Sequence, residues 1–336
     1  MIPFLIRRLA GLVFLLLILT ILVFSLSRAL PGDVAAMYVG QRAKAEQIEK
    51  ARIELGLNKP IHIQYFRYME RIFKGDLGVS FRTHRPVIDD LAKKLPMSLE
   101  VVMYALLIAV LLGLPMGVVA ALKRDTWIDL SVNLISSAAV SLPIFFLALL
   151  LQLIFFNWLG WLPLQGRLST MMEFMDPVPA VTQLALVDAV LDGNFQFLAD
   201  LAWHMVLPVV SLASIPFGLV ARLTRSSLLD VMQSDYILAA RAAGIRERVL
   251  FFRYGLRNAL SPVLSVMGLS LALMLLNTFY VEQIFNYPGI GYYALASIFN
   301  LDYPVLVAIT LVLGSVYVLS NTIIDVLRRW ADPRIV

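Results

Sequence analysis

The residue types that usually carry enzymatic chemistry are scarce in this chain. It has no cysteine and only three histidines, His62, His84 and His204. Neither a G-x-x-x-x-G-K-[ST] phosphate loop nor an H-E-x-x-H zinc motif occurs. We therefore expect no enzyme, no ATP hydrolysis by the chain itself and no cofactor bound to it. His204 could bind nickel, but without a second soft ligand a structural role is favoured.

The segment 222–257 carries the pattern with the clearest chemical meaning. Apolar and small residues recur there at spacings of three and four, at Leu228, Leu229, Met232, Tyr236, Ala239, Ala240 and Ala243. Gly244 ends the pattern, and a second basic stretch leads towards Pro262. The spacing predicts two short helices joined by a tight turn. Such helices either lie on anionic lipid or dock against another protein.

A second candidate for chemistry is the acidic segment 166–200. Its charged residues are Arg167, Glu173, Asp176, Asp188, Asp192 and Asp200. It is either solvated surface or a region that attracts the ammonium group of a substrate. Asp188 and Asp192 are the candidate residues for contacting an external partner or steering the cationic end of a solute.

The elements that position these residues are membrane helices. Apolar residues make up 60% of the 336-residue chain and charged residues 15%, which is too oily for an ordinary soluble domain. Six uncharged runs are long enough to cross about 30 Å of hydrocarbon, at 9–27, 101–122, 130–166, 201–221, 258–281 and 303–324. The first is too long for a signal peptide. Pro163 and Gly166 predict that the third ends as a helix near Trp158.

The polar residues inside these runs are mild. A proton-coupled secondary transporter usually places acidic or basic residues in its spans, and the six runs hold none. Any of the five polar residues Asn133, Ser136, Ser137, Ser141 and Asn277 is mild enough to help helices pack. Ser137, Ser141 and Asn277 are candidates for lining a translocation path.

Basic residues predict the orientation of the spans. With the N-terminus inside, the inner segments hold Arg7, Arg8, Lys123, Arg124, Arg222, Arg225, Arg241, Arg246, Arg248, Arg253, Arg257, Arg328, Arg329 and Arg334. The short outer loops hold only Arg167. Both termini are therefore expected in the cytoplasm, and the net charge of +5 reflects this basic rim rather than nucleic-acid binding.

The long first outer loop is predicted to be helical. A helix over 43–55 ends at Gly56, with Pro60 beyond it. A second helix over 61–73 carries a stripe of Tyr65, Tyr68, Met69 and Ile72. The loop is either a cap packed on the outer mouth or a docking surface for an external partner.

Short motifs follow one another along nearly the whole chain. They are Pro31-Gly-Asp33, Glu54-Leu-Gly-Leu57, Lys59-Pro60, Gly75-Asp-Leu-Gly78, Gly166-Arg-Leu-Ser169, Asp235-Tyr-Ile-Leu-Ala-Ala-Arg-Ala-Ala-Gly244, Leu256-Arg-Asn-Ala-Leu-Ser-Pro262, Glu282, Phe285, Pro288-Gly-Ile-Gly291, Asp302-Tyr-Pro304 and Asp332-Pro-Arg-Ile335. This series resembles permeases of the dipeptide, oligopeptide and nickel family of ATP-binding-cassette importers, most closely the first of the two paired dipeptide permeases. Where many importers have Glu-Ala-Ala, this chain has Leu238-Ala-Ala240.

The resemblance implies a fold, a function and partners. The fold is all-α, with six transmembrane helices, a helical outer domain and a cytoplasmic coupling helix pair between spans four and five. The function is to form half of an import path for dipeptides or short oligopeptides across the bacterial inner membrane. The partners are a paralogous permease subunit, two cytoplasmic ATPase subunits that bind ATP and magnesium, and an extracytoplasmic solute-binding protein. Nickel complexes, glutathione, heme and antimicrobial peptides are alternative solutes.

The same resemblance assigns parts of the chain. We expect the first span at 1–30, the outer domain at 31–96 and the permease core at 97–336, with the coupling segment at 223–260. Its coupling residues are Tyr236, Ala239, Ala240, Arg241, Gly244, Arg257 and Asn258.

Overall fold

The computed structural model describes residues 2–29, 34–39, 43–54, 56–175 and 178–331. Every regular element among these residues is a helix, apart from an isolated bridge between Val79 and Pro86. The prediction of an all-α protein is confirmed for this part of the chain. Outside the description lie the motifs Pro31-Gly-Asp33 and Asp332-Pro-Arg-Ile335 with Arg334, residues Leu55 and Asp176, and the side chains of Arg8, Glu173, Arg328 and Arg329.

The helices follow one another with short connections. They are α1 (Ile2–Ala29), α2 (Val34–Val39), α3 (Ala45–Glu54), α4 (Ile61–Phe73), α5 (Val87–Leu122), α6 (Trp127–Ser141), α7 (Ile144–Leu151), α8 (Thr170–Met175), α9 (Ala185–Asp192), α10 (Phe195–Met232), α11 (Asp235–Ala242), α12 (Glu247–Val249), α13 (Arg257–Ile284), α14 (Ile290–Phe299) and α15 (Tyr303–Ala331). A π-helical segment, Gln152–Trp158, extends α7, and another, Leu250–Leu256, joins α12 to α13.

Four helical segments of the described chain are long and apolar enough to cross a membrane. They are Val87–Leu122, Phe195–Met232, Glu247–Ile284 and Tyr303–Ile324. The helices α6 and α7 pass the same test only as a bent pair, and α1 contains the shorter apolar stretch Leu9–Ser25. Each of the six predicted runs therefore falls on helix.

The third predicted run is not one straight helix, which corrects the expectation from its length. Its two arms, Trp127–Ser141 and Ile144–Trp158, are bent by 107°. Leu142 at the bend has an extended backbone, with φ −78° and ψ 128°. The cause is Pro143, which lacks an N–H and disfavours helical geometry in the residue before it. The predicted end near Trp158 is confirmed.

Two of the spanning helices run well beyond the apolar runs that predicted them. α10 continues from the fourth run to Met232, and the helix containing α13 begins at Glu247. Charged residues can continue a helix beyond the hydrocarbon, because water satisfies their side chains there. Leu228 and Met232, predicted in the coupling helix, therefore belong to the end of α10.

The chain forms two compact units. The first consists of Met1–Leu95 with Tyr292–Leu319, and the second of Pro96–Gly291 with Ser320–Val336. In the first unit, the two predicted outer helices are confirmed as α3 and α4, and Gly56 after α3 has φ +67°. The α4 stripe packs on α1, where the ring centroids of Tyr65 and Phe24 are 5.4 Å apart. The stripe therefore serves as packing surface within this chain.

The second unit is built around α10. Within its most apolar window, 61% of α10 is buried, compared with 39% or less in the other three spanning helices. Close approach depends on glycine. A Cβ at Gly117 would lie 2.4 Å from the Ala221 carbonyl oxygen, and one at Gly218 would lie 2.5 Å from that of Ser136. Gly113 and Gly117 form a G-x-x-x-G pair, which permits close helix contact in membranes.

Candidate functional site

One short exposed helix stands between α10 and the next long helix. α11 begins at Asp235, after the two-residue turn of Gln233 and Ser234. It packs against the π-helical segment Leu250–Leu256, and its Ile237 is fully buried. One buried side chain thus anchors a helix whose other faces are available to a partner.

An apolar cluster fixes the base of this segment. It joins Ala121, Leu228, Phe251 and Ala259, with Met232 packed against it. Gly255 packs closely at the same place: a Cβ there would lie 2.8 Å from the sulfur of Met232 and 3.3 Å from the Leu250 carbonyl oxygen. The cluster therefore joins the ends of three long helices beside α11. No local pattern in the sequence predicts the roles of Phe251 and Gly255, because the cluster joins positions more than one hundred residues apart.

The predicted coupling residues lie together on an accessible surface. Ala240 is half-buried, and the others are exposed: Tyr236, Ala239, Arg241, Gly244, Arg257 and Asn258. A hydrogen bond joins the two halves of this surface, since Asn258 Nδ2 donates to the Tyr236 hydroxyl at 3.0 Å. We call this set the coupling surface.

The turn at Gly244 has the geometry that its sequence position predicted. Gly244 has φ +82°, a region that residues with a Cβ avoid, and a Cβ built there would meet nothing within 4 Å. Backbone conformation rather than crowding within this chain therefore accounts for the glycine. Arg241 closes the turn with two hydrogen bonds to the Glu247 carboxylate, and this raises the pKa of Arg241 above its ordinary value.

The second helix of the predicted coupling pair is not a short one, which corrects the prediction. After the turn, α12, the π-helical segment and α13 form one continuous helix, Glu247–Ile284. The second predicted helix is the first part of this spanning helix. The basic stretch was predicted to lead into the membrane, and it does so without a break in the helix.

A partly buried ion pair connects α6 to α10. Arg225 Nη2 donates to Asp129 Oδ2 at 2.6 Å, and its Nε donates to Oδ1. Asn133 Nδ2 also donates to Oδ1, at 2.8 Å, so Asn133 orders this pair. The bidentate geometry fixes the angle between the two side chains as well as their distance. The sequence analysis counted Arg225 only as an inner positive charge.

The candidate path residues lie on two helices, α6 and α13. Ser137 and Ser141 are exposed one turn apart on α6, and Ser141 is the last residue before the bend. Asn277 is half-buried on α13, and its Nδ2 donates to the Leu273 carbonyl at 2.8 Å. Among the described hydrogen bonds, none joins Asn277 to either serine. Ser136, by contrast, is buried at the contact with Gly218, as expected for a packing residue.

The two acidic candidates of the segment 166–200 differ in burial. Asp188 is buried, and its Oδ1 accepts hydrogen bonds at 2.7 Å from both the backbone N–H and the hydroxyl of Thr182. The prediction that Asp188 is a surface contact is therefore wrong. Its buried carboxylate holds the chain before α9 in place. Asp192 is exposed and keeps the predicted accessibility.

The same segment contains a buried network that the sequence analysis did not predict. Arg167 Nη2 donates to Glu100 Oε2 at 2.8 Å, and Leu186 N donates to Glu100 Oε1 at 2.9 Å. Arg167 Nε donates to the Tyr287 hydroxyl at 3.2 Å. Burial lowers the pKa of Arg167, but Tyr287 and Glu100 raise it above its ordinary value overall. The charged guanidinium therefore joins three distant segments.

A second buried carboxylate explains the motif Pro288-Gly-Ile-Gly291. Glu282 is fully buried and accepts a hydrogen bond from Ser98, whose oxygen accepts from Ile290 N at 2.8 Å. A Cβ at Gly289 would lie 2.3 Å from Glu282 Oε1, and one at Gly291 would lie 2.5 Å from Phe279 Cα. The glycines make room for the carboxylate and for α13.

An equivalent arrangement organises the first unit. Ser80 donates to Asp302 Oδ2 at 2.5 Å, and Phe81 N donates to Asp302 Oδ1 at 3.0 Å. Gly78 lies beside Pro304. A Cβ built on the glycine would be 3.4 Å from the Pro304 Cβ. The motifs 75–78 and 302–304 therefore form one structural contact.

His204 makes a local contact within α10, as expected for a structural histidine. Its Nδ1 lies 2.8 Å from the Asp200 backbone oxygen, one helical turn earlier. Asp200 in turn accepts a hydrogen bond from Ser169 N at 2.7 Å. Over the described ranges, histidine, aspartate and glutamate form no group of three that could hold a metal ion.

Family models match almost the entire chain. Residues 113–336 match the binding-protein-dependent transport system inner membrane component, and residues 1–102 match the N-terminal part of such membrane components. The chain therefore belongs to the family of inner membrane components of binding-protein-dependent transport systems. It is a multi-pass inner membrane protein and a transport permease component.

Individual relatives are similar along their whole length. A probable D,D-dipeptide transport system permease protein of Escherichia coli is 38% identical over 98% of this chain and 96% of that protein. A dipeptide transport system permease protein of Alkalihalophilus pseudofirmus is 38% identical over 100% of this chain and 99% of its own. A glutathione transport system permease protein of Salmonella paratyphi A is 34% identical, again over 100% and 99%.

Replacing Glu100 tests the buried network. Glu100→Ala leaves the Arg167 charge without its carboxylate, and breaking a buried pair in this way typically costs about 3–5 kcal/mol. We expect a clearly lower unfolding temperature for the purified chain in detergent. Asp192→Ala, on the exposed side of α9, is the control and should leave that temperature nearly unchanged. Equal unfolding temperatures for both variants and the wild type would contradict the structural role of Glu100.

Proposed function

We propose that this chain is one permease subunit of an ATP-binding-cassette importer for dipeptides or short oligopeptides. The observation that carries the proposal is its similarity to dipeptide permeases over 98–100% of its length. The exposed coupling surface agrees with such a role. In this proposal, ATP and magnesium are bound and used by separate ATPase subunits.

Glutathione is the second candidate solute. The relatives that carry it are 34% identical over the same full length, so overall similarity favours dipeptides by only a small margin. Glutathione is itself a tripeptide, and both solutes present an ammonium group and carboxylates. Nickel complexes, heme and antimicrobial peptides have no specific support from the described side chains.

Solute competition tests this assignment directly. The chain is reconstituted in liposomes with its co-expressed partner subunits and binding protein. We expect these liposomes to take up a labelled dipeptide when ATP is supplied on the side of the membrane that carries the ATPase subunits. Unlabelled dipeptides should compete at least tenfold better than glutathione. Better competition by glutathione would replace the first candidate with the second, and ATP-independent uptake would contradict an ATP-driven importer.

For topology, we propose six spans with both termini in the cytoplasm. The supporting features are α1, the four long apolar helices and the α6–α7 pair counted as one crossing. Whether this pair crosses the membrane decides on which side all the later segments lie. Were it a re-entrant loop, the segment 166–200 would be cytoplasmic and the coupling surface would face outwards.

Cysteine labelling distinguishes the two topologies, because the native chain has no cysteine. We expect an impermeant maleimide to label Lys74→Cys and Asp192→Cys from outside the inner membrane, and Ala242→Cys only after permeabilisation. All three positions are exposed. External labelling at position 242 but not at 192 would show that the bent pair does not cross.

The partner permease is proposed to pack on α13. An apolar stripe of Leu269, Leu273, Leu276 and Tyr280 repeats at helical spacing on this helix, and each side chain is exposed in the single chain. Lipid could also cover such a stripe. A paralogous subunit packed there would bring its equivalent helix next to α13. The two helices would then border one path, and Asn277 would lie beside that path. Ser137 and Ser141 remain path candidates on α6.

Coupling is proposed to run through α11. An ATPase subunit that presses on the coupling surface would move Ile237 and the apolar cluster at the base of α11. The Asp129–Arg225 pair would pass the displacement from α10 to α6, by rigid-body motion rather than by bending one helix. Outside the membrane, Asp192 is the proposed contact for the solute-binding protein.

Two substitutions test coupling. Gly244→Val places a branched side chain at positive φ, where the cost is about 1–2 kcal/mol, and Ala239→Asp places a carboxylate on the proposed docking surface. We expect both to insert normally and to lose most of the ATPase activity that loaded binding protein stimulates. We also expect at least one to lose the ATPase subunits during purification.

Gly244→Asn provides the matched control, since asparagine tolerates positive φ better than other residues with a Cβ. It should retain more activity than Gly244→Val if conformation is what matters. Wild-type assembly and transport in both Gly244→Val and Ala239→Asp would mean that segment 223–260 is not the coupling element. A helix lying on lipid would then be the better account.

A further inference from the structure

A cavity of about 650 Å³ lies within the first unit. The end of α1, one face of α4, the loop after α4 and the start of α15 form its wall, represented by Phe24, Tyr68, Asp76 and Tyr303. Its volume falls in the range of sites that bind small molecules, about 300–1,000 Å³. The functions discussed above make no use of it.

Three buried polar atoms in this wall have no hydrogen-bond partner. They are Arg28 Nε, Tyr68 Oη and Gln64 Oε1. Gln64 Nε2 donates to the backbone oxygens of Leu57 and Lys59, so the amide orientation is fixed and its oxygen points elsewhere. Buried polar groups in proteins are nearly always paired, which makes three orphans around one cavity unusual. Two of the three, Arg28 and Tyr68, are donors, and Gln64 Oε1 is an acceptor.

The charges in the wall favour an anion, because four basic residues outnumber three acidic ones: Arg28, Arg67, Arg71 and Lys74 against Glu54, Glu70 and Asp76. Arg71 pairs with Asp76 at 3.0 Å, and Lys74 pairs with Glu70 at 2.6 Å. Over the ranges that the structure covers, no carboxylate forms an ion pair with Arg28, although Arg28 feels the like charge of Arg71. An anionic oxygen placed between Arg28 and Tyr68 would satisfy both donors and offset that repulsion.

The aromatic surroundings fit a ligand with an apolar part. Arg28 lies over the Phe24 ring at 5.2 Å, and the Phe24 and Tyr68 centroids are 5.5 Å apart. Burial raises the pKa of Tyr68 above its ordinary value, so its hydroxyl stays a donor. Arg28 follows the apolar stretch Leu9–Ser25, and Tyr303 begins α15. The cavity thus lies where two apolar helices end, at the outer bilayer surface in the proposed topology.

We propose that this cavity binds the headgroup of a phospholipid. The lipid phosphate is held by Arg28 and the Tyr68 hydroxyl, and a hydroxyl or ammonium group of the headgroup donates to Gln64 Oε1. The acyl chains run along the exposed apolar side of α1, which carries Phe14, Ile18 and Leu22. Bound lipid would then tie α4 to α1 and stabilise the outer helices.

Native mass spectrometry of the full-length chain, purified with its partners and delipidated, tests the proposal. The probes are dihexanoyl-phosphatidylglycerol, dihexanoyl-phosphatidylcholine, whose headgroup has no donor, and inorganic phosphate. We expect the phosphatidylglycerol to bind most tightly. Arg28→Gln and Tyr68→Phe should each weaken its binding about tenfold or more, as expected for hydrogen bonds to a charged group.

Two matched controls separate the cavity from general effects. Arg82→Gln removes an exposed arginine of the same unit, and Tyr65→Phe removes a hydroxyl from the same helix outside the cavity wall. Both should bind the lipid like the wild type. Tyr68→Phe is conservative enough to decide the question if Arg28→Gln does not fold.

The contrary results are distinct. Equal binding of inorganic phosphate would make the site one for a free anion and overturn the lipid assignment. Unchanged binding in Arg28→Gln and Tyr68→Phe, or no lipid binding at all, would mean that the cavity holds only water. Neither result depends on solute transport, so the proposed function stands or falls separately.

Discussion

Close contact between helix backbones is the constraint on which the second unit depends. In lipid, apolar side chains gain nothing by leaving their surroundings, so helices associate through packing and hydrogen bonds instead. Here α10 meets α5 and α6 at Gly117 and Gly218, where a single added carbon would collide with a backbone oxygen. The position of α10 in turn fixes where the coupling surface begins. A methyl group added at either glycine would push α10 away from its neighbour, and this shift would extend along α10 to Met232.

Charged groups are concentrated just outside the apolar runs. Asp129 and Arg225 form a partly buried pair between α6 and α10, while Glu100 and Arg167 form a buried pair between α5 and the segment that follows α7. Each pair is partnered within hydrogen-bond distance, as burial requires. The apolar windows between these charged groups then need only packing and mild polar groups. This division explains how a membrane protein without charged residues in its apolar runs still contains specific electrostatic contacts.

Local patterns predicted local structure, and long-range contacts escaped them. The helices α3, α4 and α11 and the turn at Gly244 were predictable, because spacing and glycine act within a few residues. The contact of Arg167 with Glu100 joins positions 67 residues apart, and the burial of Asp188 depends on a turn at Thr182, so neither could be predicted from composition. The G-x-x-x-G pair at Gly113 was visible in the sequence and could have predicted the α5–α10 contact. Pro143 was visible in the sequence as well and could have predicted the bend. The long apolar run indicated one continuous helix instead.

The bend also makes the thickness of the membrane a variable of this protein. α6 contains 15 residues and rises about 22 Å, and the arm Ile144–Trp158 is of similar length. Neither arm matches about 30 Å of hydrocarbon, and arms that diverge by 107° cannot both follow the membrane normal. Lipids beside the more horizontal arm must shorten or tilt their chains, at a cost of a fraction of a kcal/mol for each ångström of mismatch. Acyl-chain length therefore contributes to the energy of this subunit in its membrane.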